Sequence, residues 1–145
     1  MERERALELL GGGAESVGRW NRWRSSNPGP FDLTHGKLAR AELSGANLSN
    51  VDLHSADLSG ATLTGANLEG ADLHGSNLKG ADLCQAVLRG ADLHAANLMC
   101  TNLCGTDLSH ANVRKASFQD AEADSPSRLP WGFNIMPILG RYART

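Results

Sequence analysis

The hydrophobic residues in the central part of the chain follow a strict five-residue period. A leucine occupies every fifth position from Leu33 to Leu108, and Val113 and Phe118 continue the same register. A period this regular predicts a repeat architecture whose core is built from these side chains. The sixteen leucines of the predicted core are Leu33, Leu38, Leu43, Leu48, Leu53, Leu58, Leu63, Leu68, Leu73, Leu78, Leu83, Leu88, Leu93, Leu98, Leu103 and Leu108.

The positions around each leucine repeat as well. The residue two positions before the leucine is small, usually alanine as at Ala46 and Ala66, and the residue directly before it is Asp or Asn in most units. Glycine occupies the second position after the leucine in eight units. Counted over residues 31–120, the pattern gives eighteen five-residue units.

A period of five fits neither regular secondary structure. Five residues of an α-helix turn through about 500°, which scatters the leucines around the axis. In a straight strand an odd spacing sends successive leucines to opposite faces. The pattern is satisfied if the chain bends once per unit, with Ala and Leu inward, Asp or Asn outward and glycine at the bend. Four bends close a coil of twenty residues, so the sequence predicts a β-solenoid of square cross-section.

The units at 66–70 (ANLEG) and 71–75 (ADLHG) resemble those of the pentapeptide repeat family. The resemblance implies an all-β solenoid, folded as a right-handed quadrilateral β-helix, and covers about 90 of the 145 residues. We therefore expect three regions: an N-terminal helical cap at 1–30, the pentapeptide-repeat β-helix at 31–124, and a short apolar C-terminal segment at 125–145.

The aromatic residues are confined to the two ends of this expected solenoid, where exposed leucines and unpaired edges need covering. Residues 2–10 and 14–24 have helical composition, and the WNRWR segment at 20–24 resembles N-terminal caps of the family. A partner-binding surface of exposed tryptophan is the alternative. The C-terminal segment is predicted to seal the last coil or to form a homodimer, as some members of the family do. The predicted end-cap residues are Trp20, Trp23, Phe118, Trp131 and Phe133.

Charge and composition exclude several classes of protein. A formal net charge of -2 argues against direct binding of nucleic acid, and 41% hydrophobic residues argue against disorder. No apolar run approaches the roughly 18 residues of a membrane span. The three cysteines are an odd number, which is typical of a reducing compartment, and we expect a cytoplasmic protein.

Positions twenty apart are predicted to stack on one side of the solenoid. One such column holds four aspartates and the neighbouring column holds three histidines, and we take them as the candidate interaction face: Asp32, Asp52, Asp72, Asp92, His54, His74 and His94. Stacked imidazoles suggest a metal site. Duplication of similar twenty-residue blocks starting at Val51, Ala71 and Ala91 explains the column without any selected role, and this is the interpretation we favour. Because a flat ladder offers no second shell, the prediction is that no metal and no cofactor bind there.

The cysteines lie close together in the predicted coils. Cys84 and Cys104 share one column, and Cys100 lies at the preceding corner. Such thiols are able to bind a soft metal or to sense oxidation. The interpretation we favour is that they are small side chains at variable outward positions. Nothing in the pattern suggests a concave pocket for catalysis, so the chain is predicted not to be an enzyme.

Besides metal binding by the histidine ladder, which is the second alternative, two functions remain open. The first is a protein-binding or scaffold module with an unknown partner, since a rigid rod with variable outward residues suits recognition. The second follows from the resemblance, because some members of the family act on DNA gyrase by resembling DNA in shape and charge. The repeats carry ten acidic and six basic residues, a net charge of -4, and Glu69 is expected to neutralise Arg89. B-DNA carries one charge per roughly 1.7 Å, so this is dilute for a DNA mimic.

Overall fold

A computed structural model describes residues 1–124 and 127–130, together with the backbone of 141–142. Two helices open the chain, α1 at Arg3–Leu10 and α2 at Ala14–Ser26. Four two-residue strands follow: β1 at Phe31–Asp32, β2 at Val51–Asp52, β3 at Glu122–Ala123 and β4 at Arg141–Tyr142. The strands are short because the chain turns after every unit.

A parallel ladder with a constant offset of twenty residues organises the repeats. β1 pairs with β2 through Phe31↔Val51 and Asp32↔Asp52. Single bridges with the same offset continue from Lys37↔Asp57 up to Asn102↔Glu122. The chain therefore coils with the twenty-residue period that the sequence predicts, and each coil has four short sides.

The core is a stack of leucine and alanine. Each of the sixteen leucines in the five-residue register is at most 1% exposed, as are most of the alanines two positions earlier. Phe118 takes the leucine position of its own unit and is 1% exposed. The Asp or Asn between the two inward residues faces outward, so each side of the coil contributes two core side chains and one surface side chain.

The corners depend on a backbone conformation that favours glycine. The second residue after each leucine has a positive φ, from +53° at His35 to +68° at Gly80 and Gly105, and the N–H of the next residue donates to the leucine carbonyl. Ten of these positions hold a residue other than glycine, among them Ala95. Such residues pay a steric cost in the left-handed region.

The Asp or Asn of each unit stabilises the corner that follows it. The N–H of His74 donates to Asp72 Oδ1 at 2.9 Å, and the N–H of Glu69 donates to Asn67 Oδ1 at 3.0 Å. This is the Asx-turn geometry, which an Asp or Asn side chain makes with the backbone two residues on. The frequent Asp and Asn of the repeat are thus explained by the turn itself.

The helical cap supplies the groups that a preceding coil would have supplied. Trp20 is fully buried, and its Nε1 donates to the Asn47 carbonyl at 2.8 Å. The Asn21 side chain accepts from the Asn47 N–H at 2.8 Å and donates to the Gly45 carbonyl at 2.9 Å. Arg24, 1% exposed, donates to the Ser49 carbonyl at 2.6 Å. These are first-coil edge groups, and pairing them leaves less of the edge open.

Aromatic packing closes the same end. The ring centroids of Trp20 and Trp23 lie 5.4 Å apart, and both contact the Phe31 ring, at 5.6 and 5.0 Å. Trp20 is buried and Trp23 is half-buried, so neither forms an exposed aromatic surface. The two tryptophan rings therefore pack over the first coil, at the end where the sequence predicts a cap.

The ladder changes register near the C-terminal end. Asp107 pairs with Arg128, an offset of 21 residues, while Asn102 still pairs with Glu122. One extra residue therefore lies between these two bridges. β3 in turn pairs in parallel with β4 through Glu122↔Arg141 and Ala123↔Tyr142, so the chain's own backbone covers this part of the last edge. The predicted cap residues Trp131 and Phe133 lie outside the described residues.

Candidate interaction surface

Each aspartate of the candidate face lies at the middle of a coil side, and each histidine lies at the corner that follows it. Successive bridges join Asp32, Asp52, Asp72 and Asp92, in that order, and continue to Asn112. His54, His74 and His94 follow two residues after three of these aspartates. The structure thus brings together all seven residues of the candidate face, and we call this surface the Asp–His face.

The aspartate column stacks like charges on neighbouring coils. Neighbouring strands lie about 4.8 Å apart, and like charges directly opposite one another destabilise a sheet. The two ends of the column are relieved, because Arg3 Nε lies 3.8 Å from Asp32 Oδ1 and Asn112 Nδ2 donates to Asp92 Oδ1 at 2.9 Å. Between these ends the column consists of three successive aspartate pairs, and in the described coils no other side chain of the column donates a hydrogen bond to their carboxylates.

The other outward columns of the described coils are built differently. Asn77 donates to Asp57 at 3.3 Å, Asn97 donates to Asn77 at 3.3 Å, and Asn102 donates to Asp82 at 3.1 Å. Thr62 donates to Glu42 at 3.3 Å. In these columns a carboxylate is followed by a donor, and no second column among the described coils places two acidic residues in succession.

The histidines form a continuous row of rings. The ring centroids of His54 and His74 are 5.0 Å apart, and those of His74 and His94 are 4.9 Å apart. His35 extends the row, with its ring 6.0 Å from that of His54 in an edge-on arrangement. Sequence reasoning missed His35 because it lies one position further along its unit, and only the corner geometry turns its ring toward the row.

Hydrogen bonds to the carboxylates shift the pKa of several aspartates outside the middle of the column. The Thr34 N–H lowers the pKa of Asp32, and the Ser59 hydroxyl lowers the pKa of Asp57. The Ser109 hydroxyl does the same for the pKa of Asp107, assisted by Arg89. These groups stay ionised at neutral pH and hold their corners.

The predicted ion pair between Glu69 and Arg89, which lie twenty residues apart, is wrong. Instead, Arg89 Nη2 lies 3.2 Å from Asp107 Oδ2, and no ion pair joins Arg89 to Glu69 among the described residues. The physical reason is burial: Asp107 is 15% exposed at its side chain, so a salt bridge with it is less screened than one with the exposed Glu69.

At the histidine row and at the cysteine column, potential metal ligands stack on successive coils. Within residues 1–124 and 127–130, no group of three or more His, Cys, Asp or Glu side chains is arranged to hold a metal ion. Cys84 and Cys104 are free thiols and half-buried, whereas Cys100 is free and exposed. Burial raises the pKa of the Cys104 thiol, and the charge of Asp124 adds to this effect.

An open cleft lies on the helical cap rather than on the Asp–His face. It is lined by Met1, Arg5, Glu8, Leu9, Ser16 and Arg19.

No helix in the described part of the chain is both long enough and apolar enough to cross a bilayer.

The geometry defines a coiled repeat protein whose variable side chains all point outward. A sequence model of pentapeptide repeats matches the chain in eight copies, over residues 32–65, 66–99 and 96–124. The chain therefore belongs to the pentapeptide repeat family.

Solved structures of this kind are similar to the chain. The pentapeptide repeat protein alr5209 from Nostoc PCC 7120 is 35% identical, with 84% of this chain and 91% of that one covered and a TM-score of 0.40. Rfr23 from the cyanobacterium Cyanothece 51142 is 24% identical, with 78% and 99% covered and a TM-score of 0.44. Full-length QnrB1, a plasmid-mediated fluoroquinolone resistance protein, is 19% identical, with 73% and 67% covered and a TM-score of 0.30. No curated protein sequence matches the chain significantly.

Proposed function

We propose that this protein is a non-catalytic binding module, a right-handed quadrilateral β-helix that uses its Asp–His face to bind a basic partner protein. The twenty-residue ladder supports a rigid rod, because each coil is hydrogen-bonded to its neighbours along all four sides. A rigid surface loses little conformational entropy on binding. The partner would contribute Lys or Arg side chains at the spacing of the coils.

The observation that carries the proposal is the stacking of Asp32, Asp52, Asp72 and Asp92. The Asx turn is satisfied by Asn as well as by Asp, as Asn67, Asn77 and Asn97 show elsewhere in the repeat. An Asn column would also gain side-chain hydrogen bonds between coils, as between Asn97 and Asn77. Folding alone therefore favours Asn in this column, whereas a cationic partner favours Asp.

The experiment compares two double variants that remove the same charge. Asp52→Asn with Asp72→Asn neutralises the middle of the Asp–His face and keeps both turn acceptors. Glu42→Gln with Glu69→Gln removes two exposed carboxylates from other columns. Immobilised wild-type protein is expected to retain a basic protein at low salt and release it as salt rises. The aspartate variant should lose that protein and the glutamate variant should keep it. Equal retention by all three would contradict the proposal.

A DNA-mimicking effect on gyrase is the alternative function, and the same proteins test it. Four carboxylates at about 4.8 Å spacing carry far fewer charges per length than B-DNA, with one per roughly 1.7 Å. We therefore expect no change in gyrase supercoiling at micromolar protein. Inhibition or quinolone protection that disappears in the aspartate variant would favour the alternative instead.

Two further parts of the proposal concern location and assembly. The three free thiols support a reducing compartment, and we propose that the protein is cytoplasmic.

The pairing of β3 with β4 supports a C-terminal segment that caps its own solenoid. Under this proposal, light scattering should give a mass near 15.4 kDa, whereas twice that mass would favour the homodimer.

A further inference from the structure

The thiols of Cys84 and Cys104 occupy equivalent positions on successive coils. The Gln85 N–H donates to the Cys104 carbonyl at 2.8 Å, which fixes the register of the two corners. Both backbones are held in the same way, because the Cys84 N–H donates to Asp82 Oδ1 at 3.0 Å and the Cys104 N–H donates to Asn102 Oδ1 at 3.1 Å. The two side chains therefore leave parallel, half-buried positions one coil apart.

The spacing of the coils suits a bridging ion better than a disulfide. Neighbouring strands are about 4.7–4.9 Å apart, and equivalent Cβ atoms on successive coils share that spacing, which exceeds the roughly 3.5–4.5 Å that a disulfide requires. Two metal–thiolate bonds of about 2.3 Å, laid end to end, span about 4.6 Å. An ion between the two sulfurs would fit with the ladder hydrogen bonds intact, while a disulfide would have to compress them.

The number and type of ligands select the ion. A structural zinc site needs four ligands, and among the described residues no group of even three suitable side chains is in place. Thiolates are soft ligands that select Cu(I). From this pairing we propose that Cys84 and Cys104 bind one Cu(I) ion in two-coordinate geometry. Cys100 lies on a different corner column and is exposed, so it takes no part.

The surroundings of the pair determine how binding depends on pH. Burial raises the pKa of Cys104, with further contributions from Asp124, Cys84, Glu122 and Asp82. On binding, the two thiols release two protons to solvent and two S–Cu bonds form, with no change of oxidation state. Affinity should accordingly rise with pH.

The test measures Cu(I) transfer from a colorimetric Cu(I) chelator to the fully reduced protein under anaerobic conditions. Wild type is expected to take up one equivalent, and X-ray absorption should show two sulfur ligands. Cys84→Ser and Cys104→Ser should each weaken binding by at least about tenfold, since losing a ligand exceeds a second-shell change, which costs 10–100-fold. Cys100→Ser is the matched control and should bind like wild type.

Several outcomes would overturn the proposal. These are equal uptake by Cys104→Ser and wild type, loss of uptake in Cys100→Ser comparable to that in Cys104→Ser, or Zn²⁺ binding as tight as Cu(I) binding. Circular dichroism of each variant checks that the solenoid is folded. The Asp–His face is intact in all three variants, so failure here is separate from failure of the proposed binding function.

Discussion

At the residue scale, each of the five positions of the repeat has a defined structural role. The leucine and the small residue fill the core, the Asp or Asn holds the turn, and the last two residues make the corner. Departures from these assignments show where another constraint acts. Glu42 and Lys37, for example, place charges on the first coil where other units have Asp or Asn, and charged side chains at an exposed edge discourage pairing with another strand.

The acid column gives a prediction about stability. Asp72→Asn keeps the turn acceptor and removes repulsion with two neighbouring carboxylates, so we expect it to stabilise the fold by about 1 kcal/mol at neutral pH and low salt. The measurement is urea unfolding followed by circular dichroism.

Asp57→Asn is the control for that variant. Asp57 is bonded to Ser59 and Asn77, and these hydrogen bonds lower its pKa, so neutralising it should destabilise the fold or leave it unchanged. If Asp72→Asn is no more stable than Asp57→Asn, the aspartates of the column do not repel one another in the folded state.

The corners give a second prediction. Ala95 is exposed and has φ +56°, so Ala95→Gly should stabilise the fold by about 0.5–1 kcal/mol, the steric relief outweighing the entropy of glycine. At Gly80, with φ +68°, an added Cβ meets nothing within 4 Å, so Gly80→Ala isolates the backbone cost and should destabilise by a similar amount. Thermal unfolding of both variants checks the signs. A lower Tm for Ala95→Gly would show that this corner does not strain alanine.

At the scale of elements, the helical cap replaces a missing coil with side chains. Arg24, Asn21 and Trp20 bind the backbone groups of the first coil that every later coil offers to the coil before it. Arg24 is also held by the carbonyls of Asn27 and Gly29, so one buried guanidinium joins α2, the linker and the repeats. Its two Nη atoms donate to carbonyl oxygens and its guanidinium lies 5.9 Å from the ring centroid of Trp20, while its Nε is buried without a hydrogen-bond partner among the described residues.

Removing the guanidinium should therefore uncouple the cap. Arg24→Met keeps most of the apolar stem and is expected to destabilise the protein by about 2–4 kcal/mol, because four part-buried hydrogen bonds to carbonyl oxygens lose their charged donor. Hydrogen exchange should show the loss first at the N–H groups of α2 and the first coil. Arg22→Met, at an exposed position of the same helix, is the control and should change stability little. Equal losses of stability in the two variants would show that Arg24 does not couple the cap to the repeats.

The elements that sequence reasoning predicts are those with a period. Burial of leucine every fifth residue follows from spacing alone, and so does the coil of twenty. The role of Arg24 was not predicted because its contact with the repeats is made to the Ser49 carbonyl oxygen, 25 residues away, which leaves no trace in composition. The extra residue before Arg128 and the pairing of β3 with β4 were missed for a related reason: they begin where the leucine pattern ends.

At the scale of the whole molecule, the repeated carboxylate hydrogen bonds predict how stability depends on pH. The folded state lowers the pKa of Asp32, Asp57, Asp107 and Asp124. A lowered pKa means that the unfolded chain binds protons first, so this stability is complete above about pH 5 and is lost as pH falls through 4 and below. Urea unfolding at a series of pH values measures it.

A single hydroxyl tests the cause. The Ser109 hydroxyl donates to Asp107 Oδ1 at 2.5 Å and is the main reason for the lowered pKa of Asp107. Ser109→Ala should flatten the acid dependence of stability, while Ser44→Ala, at a corner whose unit has no aspartate, should leave it unchanged. If the free energy of unfolding of Ser109→Ala depends on pH as that of the wild type does, Asp107 does not contribute to the loss of stability in acid.

The constant offset of twenty residues also sets how such a chain can lengthen in evolution. Each coil contacts only its neighbours, so duplicating one twenty-residue block lengthens the rod by about 4.8 Å and leaves the helical cap on the surface it already fits. Duplicating a single pentapeptide instead rotates everything beyond it by a quarter turn. The aspartates and histidines would then no longer share a side. A column of like side chains on the surface is therefore preserved when whole coils are duplicated and is broken when a single pentapeptide is duplicated.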